Sequence, residues 1–247
     1  MGKNKLAKFA EMARFENVLQ VSYRELAEEG FSLKGKWASR FFHNQAPLVL
    51  ELGCGKGEYT VELAERFPDK NYIGVDIKGA RMFTGAKRAI EKELKNVAFL
   101  RTRIENIGQF FDSSEVEAIW LTFPDPQMKN ARKRLTSTFF LKRYLPFLDP
   151  SGVVHLKTDS NFQYQYTLAV AQHNRFEILA QTDNLYQSDL LNDILRVRTF
   201  YEKQWIDRGI DIKYLAFRLS GNPENWEEPA GEIEKDSYRS FGRSARE

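Results

Sequence analysis

Residues 48–57, Leu-Val-Leu-Glu-Leu-Gly-Cys-Gly-Lys-Gly, restrict the possible folds more than any other stretch. A short hydrophobic strand runs straight into three glycines at alternate positions, and a helix is expected from Glu58. Gly53, Gly55 and Gly57 let the backbone turn sharply and approach a ligand where a Cβ would intrude. A loop of this kind, at the carboxyl end of the first core strand, lies where open α/β sheets bind ligands. The dinucleotide fingerprint requires Gly-x-Gly-x-x-Gly, and here the third glycine comes one residue early. Glu51, just before the loop, opposes a pyrophosphate but suits a ligand carrying an ammonium and a sulfonium. A dehydrogenase is therefore the weakest reading.

Five apolar runs alternate with helical segments: Leu48–Leu52, Tyr72–Ile77, Val97–Leu100, Ala118–Phe123 and Gly152–Thr158. This predicts an α/β fold, a mostly parallel sheet with helices on both faces. Thr136-Ser137-Thr138 is a cap for a helix running to Phe147, and Asp149–Gly152 reads as a turn. A helix over 161–173 and strands at Phe176–Ala180 and Ile212–Leu219 follow. Asp76 ends the second run, placed to accept hydrogen bonds from ribose hydroxyls or simply to cap the next helix.

Composition divides the chain into a basic N-terminal extension (1–45), a core domain (46–220) and a polar C-terminal tail (221–247) with little structure of its own. The extension shows a helical pattern around Phe9, Met12, Phe15, Val18 and Leu19. Lys plus Arg exceeds Asp plus Glu by only 37 to 34, so the location of positive charge matters more than its sum. One cysteine and three scattered histidines argue against a disulfide framework and a His/Cys metal site. No signal-peptide core or membrane-length apolar run is present, which makes the cytoplasm the expected compartment.

The fourth run ends in Trp120-Leu-Thr-Phe-Pro-Asp-Pro126. Two prolines bracketing Asp125 stiffen the chain and hold that carboxylate at the strand end. Lys129, Arg132, Lys133 and Arg134 follow at once. Such runs are usually solvated, but beside a ligand crevice phosphate contact is the better reading. Cys54 reads as a small filler rather than a nucleophile, which disfavours chemistry through a covalent cysteine adduct.

These motifs resemble the tRNA (guanine-N7)-methyltransferase family, whose members methylate guanosine 46 in the tRNA variable loop. The resemblance spans roughly residues 40–220 and rests on Leu-Glu-Leu-Gly-Cys-Gly-Lys-Gly (50–57), Tyr-Ile-Gly-Val-Asp (72–76), Phe-Pro-Asp-Pro (123–126), Lys-Thr-Asp (157–159) and Thr-Phe-Tyr-Glu (199–202). It implies a Rossmann-like class I methyltransferase that uses S-adenosylmethionine, acts on tRNA and needs no metal. It further implies that Glu51, Gly53, Gly55, Asp76 and Asp125 hold the cofactor, with Asp125 also in the active site. Lys129, Asp159, Thr199, Phe200, Tyr201 and Glu202 are implied substrate contacts. Three departures stand out: Gln127 replaces the usual tryptophan, the basic loop is about two residues shorter, and Arg103 stands where Asp or Asn is usual. The adenine contact there falls to Arg103 or its backbone.

Guanine N7 carries a lone pair and no proton, so methylation there needs no general base. Alignment alone supplies roughly 7–11 kcal/mol in well-oriented systems. Asp125 is suited to favour the charge shift onto the purine. Asp159 is suited to accept from guanine N1 and N2 hydrogens, or else to cap the helix near Ser160; Thr199–Glu202 contacts substrate or is a mere turn. N7 is hard to reach inside folded RNA, so partial displacement of the base is expected, with flanking phosphates on the four basic residues. Lys3, Lys5, Lys8, Arg14, Lys34, Lys36 and Arg40 either extend that footprint or are plain solvated surface. Methylation of a small molecule and a non-catalytic RNA-binding module are the competing readings.

Overall fold

The computed structural model describes residues 2–239, and in it the apolar residues of the central strands sort by parity. In β2 (Leu48–Leu52), β3 (Asn71–Asp76), β4 (Val97–Arg101) and β5 (Val116–Thr122), residues such as Leu50, Ile73, Leu100 and Ile119 enter one core. Their neighbours Val49, Tyr72, Phe99 and Trp120 enter the other. Successive strand side chains point to opposite faces, so a sheet covered on both sides reads as near-continuous apolar runs. The first core is closed by α5 (Thr138–Tyr144) and α6 (Asn161–His173), through Phe140, Tyr144, Tyr166 and Val170. The second is closed by α3 (Glu58–Arg66) and α4 (Gly79–Glu91), through Tyr59, Val61, Met82 and Ala86.

With β1 (Val18–Leu19), β6 (Leu148–Thr158), β7 (Glu177–Thr182) and β8 (Lys213–Arg218), the sheet runs β1-β4-β3-β2-β5-β6-β8-β7. Every pairing is parallel except those of β8 with β6 and β7. From β2 the chain steps to β3 on one side and later to β5 on the other. Strand order reverses at β2, which opens a crevice beyond the carboxyl ends of β2, β3 and β5. The turn expected at Asp149–Gly152 lies instead inside β6. Pairing jumps from Val116↔Leu148 to Ala118↔Val153, so five steps on β6 oppose two on β5. Asp149 Oδ1 closes this bulge by accepting from Ser151 N (2.8 Å) and Oγ (2.6 Å).

Packing crosses both composition boundaries. α1 (Gly2–Met12) lies against α4, where Phe9 and Met12 fill the space that a Cβ on Gly79 would occupy. Val18–Leu19, part of the expected helical pattern, forms an edge strand beside Phe99–Leu100, opened by Phe99 N donating to Asn17 O at 2.7 Å. Trp37 is fully buried, its indole donating to Phe110 O at 3.0 Å. Lys3 and Lys5 side chains, like Arg243 and Arg246, lie outside what is described.

The tail contains no α-helix or strand between 221 and 239, yet it is docked. Trp226 is buried edge-on to Phe176, with ring centroids 4.8 Å apart. Glu228 Oε1 accepts from Thr138 N and Oγ1, both at 2.8 Å, and so caps α5. Of the Thr136-Ser137-Thr138 cluster expected to cap that helix, Ser137 takes the cap position but leaves its hydroxyl unpartnered. Asp236 accepts from Ser160 Oγ and from Phe162 N (3.0 Å) at the start of α6.

Candidate active site

All three loop glycines adopt positive φ: Gly53 +80°, Gly55 +57° and Gly57 +69°. Their reasons differ. At Gly55 the nearest atom to a hypothetical Cβ is Gly53 O at 4.0 Å and at Gly53 it is Leu135 Cδ1 at 3.6 Å, so the positive φ rather than crowding calls for glycine at both. At Gly57 a Cβ would sit 2.4 Å from Phe99 Cε1, so this glycine serves the packing of α3 on the sheet. Val75 O ties the loop to β3 by accepting from Gly53 N (2.8 Å) and Cys54 N (3.1 Å).

Two carboxylates brace the loop from below. Asp76 Oδ2 accepts from Gly55 N at 3.0 Å and Oδ1 from Lys78 N at 2.7 Å, leaving lone pairs toward the crevice. Glu51 is buried; it accepts from Thr60 N at 2.9 Å and from the hydroxyls of Thr60 and Thr122. These bonds join the ends of β2 and β5 to the first turn of α3. Burial outweighs them and raises the Glu51 carboxyl to about 7. Three of its roughly four acceptor positions are used, and the remainder opens on the crevice. Cys54 is buried and its thiol is pushed well above the ordinary range by desolvation, which keeps it protonated and unreactive, as a filler requires.

The crevice, of about 550 Å³, is shared by the glycine loop and the Phe123–Pro126 corner. Phe123 and Gln127 flank that corner with positive φ of 51° and 47°, a strained setting for residues with a Cβ. Asp125 is exposed between them, and Gln127 N donates to its Oδ1 at 3.1 Å. Of the four basic residues, Lys129, Arg132 and Lys133 are exposed, and Lys133 lines the crevice. Arg134 is not available to phosphate, contrary to expectation. Its guanidinium is buried, stacked over Tyr166 (4.2 Å) and Phe162 (4.7 Å), and donates to the carbonyls of Gln127 and Met128 at 3.3 Å. It holds the strained corner from inside.

The Thr199–Glu202 motif splits. Thr199 caps α7 (Phe200–Ile206) by accepting from Glu202 N at 3.2 Å, and with Tyr201 it lines the crevice. Phe200 is half exposed and points elsewhere. Glu202 is turned fully inward onto Lys157 and is not placed to make the substrate contact expected of it. Lys157 appeared in the sequence only as part of a motif. Asp159 is buried, receiving a hydrogen bond from Tyr238 at 2.8 Å, and does not cap α6; Ser160 does, accepting from Gln163 N. Arg103 lines a second crevice of about 790 Å³, together with Gln20–Ser22 and Ile77. The two crevices meet along 76–78, because Asp76 and Lys78 line the first and Ile77 the second. Among the described residues no His/Cys/Asp/Glu group is arranged to hold a metal, and no helix is long and apolar enough to cross a membrane.

A parallel sheet with this strand reversal, a glycine loop over acidic strand ends and an exposed aspartate across the crevice define a Rossmann-like class I S-adenosylmethionine-dependent methyltransferase. The 16S rRNA methyltransferase KamB has the same fold (TM-score 0.57, 13% identity, 82% of this chain and 96% of that one). Residues 45–215 match the family described as putative methyltransferase. The tRNA (guanine-N(7)-)-methyltransferase of Bacteroides fragilis is 56% identical over 246 residues, covering 100% of this chain and 97% of that protein. Its counterpart from Porphyromonas gingivalis is 53% identical, covering 95% and 98%. The chain belongs to the tRNA (guanine-N7)-methyltransferase family.

Proposed function

We propose that this protein transfers the methyl group of S-adenosylmethionine to N7 of a guanine in tRNA, guanosine 46 of the variable loop. The observation that carries this reading is the single crevice shared by Gly53–Gly55 and Asp125. When bound, S-adenosylmethionine supplies an activated methyl on a sulfonium. The residues fit such a ligand: Gly53 and Gly55 line the crevice with bare backbone, and Glu51 faces its cationic end. Asp76 accepts from the ribose hydroxyls. Ile77, 47% exposed, offers an apolar face to the adenine as it extends toward Arg103.

Asp125 and the Phe123–Pro126 corner orient the acceptor purine, and the fixed carboxylate favours positive charge moving onto the ring. No side chain has to remove a proton. Lys129 and Lys133 hold phosphates at the crevice mouth, while Thr199 and Tyr201 form its opposite wall. Asp159, beneath Tyr238, recognises the guanine edge once that tyrosine is displaced.

Incubation with labelled S-adenosylmethionine and bulk tRNA, followed by nucleoside digestion, is expected to yield labelled 7-methylguanosine. Replacing guanosine 46 by adenosine in a transcript is expected to remove the signal. Label in another nucleoside, or none in tRNA, rejects the proposal.

A further inference from the structure

Residues 195–200 alternate in a way that has a use beyond the crevice. Leu195, Val197 and Thr199 are buried, whereas Arg196, Arg198 and Phe200 are exposed. The backbone here is pinned from inside, because Lys157 Nζ donates to Leu195 O and Val197 O at 2.8 Å each. The outward side chains face a cleft of about 600 Å³, whose other wall carries Arg66 of α3 and Arg88 of α4, with Lys203 of α7 at its edge.

Five cations meet two carboxylates in this cleft, an excess of three, as large as the formal net charge of the whole chain. The carboxylates are already engaged. Glu62 accepts from Arg66 (2.7 Å) and Arg88 (3.3 Å), and Glu58 accepts from Phe200 N at 2.8 Å. Arg198 lies over Tyr186 and donates to its hydroxyl at 3.0 Å. Arg196 and Lys203 have no side-chain hydrogen bond or ion pair among the described residues. Phe200, 50% exposed, sits among them.

We infer that this cleft is a second RNA-binding surface, which grips backbone phosphates through Arg196 and Lys203 and stacks an unpaired base on Phe200. Free guanidinium and ammonium groups beside an exposed aromatic ring form the combination by which single-stranded RNA is held. The location fits a strand entering the active site. Thr199 and Tyr201 line the crevice, Arg198, Phe200 and Lys203 line the cleft, and Glu58 borders both. RNA crossing this wall is held on the side away from Lys129 and Lys133. The inference rests on the proposed tRNA substrate.

The test is the Arg196→Ala/Lys203→Ala double variant of the full chain, with Arg218→Ala, which lines neither the cleft nor the crevice, as the control for loss of a positive charge elsewhere. Removing two phosphate contacts is expected to weaken tRNA binding at least about tenfold. It is expected to lower the slope of log affinity against log salt by about two. S-adenosylmethionine binding and the thermal midpoint report an intact fold. A double variant whose tRNA KM and salt slope match those of wild type and Arg218→Ala overturns the inference. Wild-type protein that neither binds nor methylates tRNA instead overturns the underlying reading, so the two failures are distinct.

Discussion

Lys157 Nζ and Glu202 Oε1 lie 2.8 Å apart with neither side chain exposed to solvent. All three ammonium hydrogens are used: one on Glu202 and two on the carbonyls of Leu195 and Val197. Tyr186 OH donates to the same carboxylate oxygen at 2.6 Å. Burial lowers the Lys157 pKa and the adjacent Glu202 opposes that shift. The pair ties the end of β6 to the segment that carries the crevice wall.

Breaking this pair one-sidedly is expected to be costly. Lys157→Met leaves a buried, unpaired carboxylate and should destabilise the protein by about 3–5 kcal/mol. Urea unfolding followed by circular dichroism measures this. The double variant Lys157→Met/Glu202→Leu removes both charges and should regain more than half of the loss; an unrecovered double variant shows that the pair contributes no coupling of its own.

Asp125→Asn isolates charge from geometry. The asparagine oxygen still accepts from Gln127 N, so the corner keeps its shape, but the carboxylate is gone. A loss of roughly 10²–10³-fold in kcat is expected, comparable to removing one preorganised electrostatic group. Single-turnover methyl transfer with saturating tRNA is the measurement. A kcat within threefold of wild type removes Asp125 from the chemistry.

Glu51 titrates near neutrality, and its protonation competes with a cationic ligand. The carboxyl is raised from 4.5 to about 7 in the folded protein, chiefly by burial. Its contribution to stability without ligand is therefore fully present below about 4.5 and is lost as pH rises through about 7. For S-adenosylmethionine the sign is opposite: affinity is expected to fall as pH drops below about 7, approaching about tenfold per unit. Calorimetric titration between pH 5.5 and 8, on the order of one unit either side of that value, tests this. Glu51→Gln should bind more weakly with a flat pH profile.

The tail acts as a pair of helix caps. Glu228→Ala frees Thr138 N, and Asp236→Ala frees Phe162 N; loss of such a cap costs about 1 kcal/mol. For a domain of this size each variant should lower the thermal midpoint by about 2–4 °C. Unchanged midpoints in both variants reduce the tail to a passive covering.

Much of the fold was legible because strand parity and the glycine loop are local signals. Leu48–Leu52 and its four companion runs all became strands, and the helix over 161–173 matches α6. What escaped was set by distant partners. Nothing near Arg134 shows that Tyr166 and Phe162, about thirty residues later, draw it inward, so it read as one more exposed cation. Glu202 hid for the same reason, its partner lying 45 residues earlier. Val18–Leu19 is too short for its period to show, and it pairs with a strand about eighty residues away. At the site, the sequence placed Gly53, Gly55, Asp76 and Asp125 around one crevice, but it could not show that Glu51 spends most of its acceptors on Thr60 and Thr122.

The docked tail also orders events during synthesis. All eight strands have been translated by Arg218, yet the first turns of α5 and α6 wait for Glu228 and Asp236 to clear the ribosomal tunnel. The first turns of these two helices thus gain their caps only after every strand of the sheet has been made.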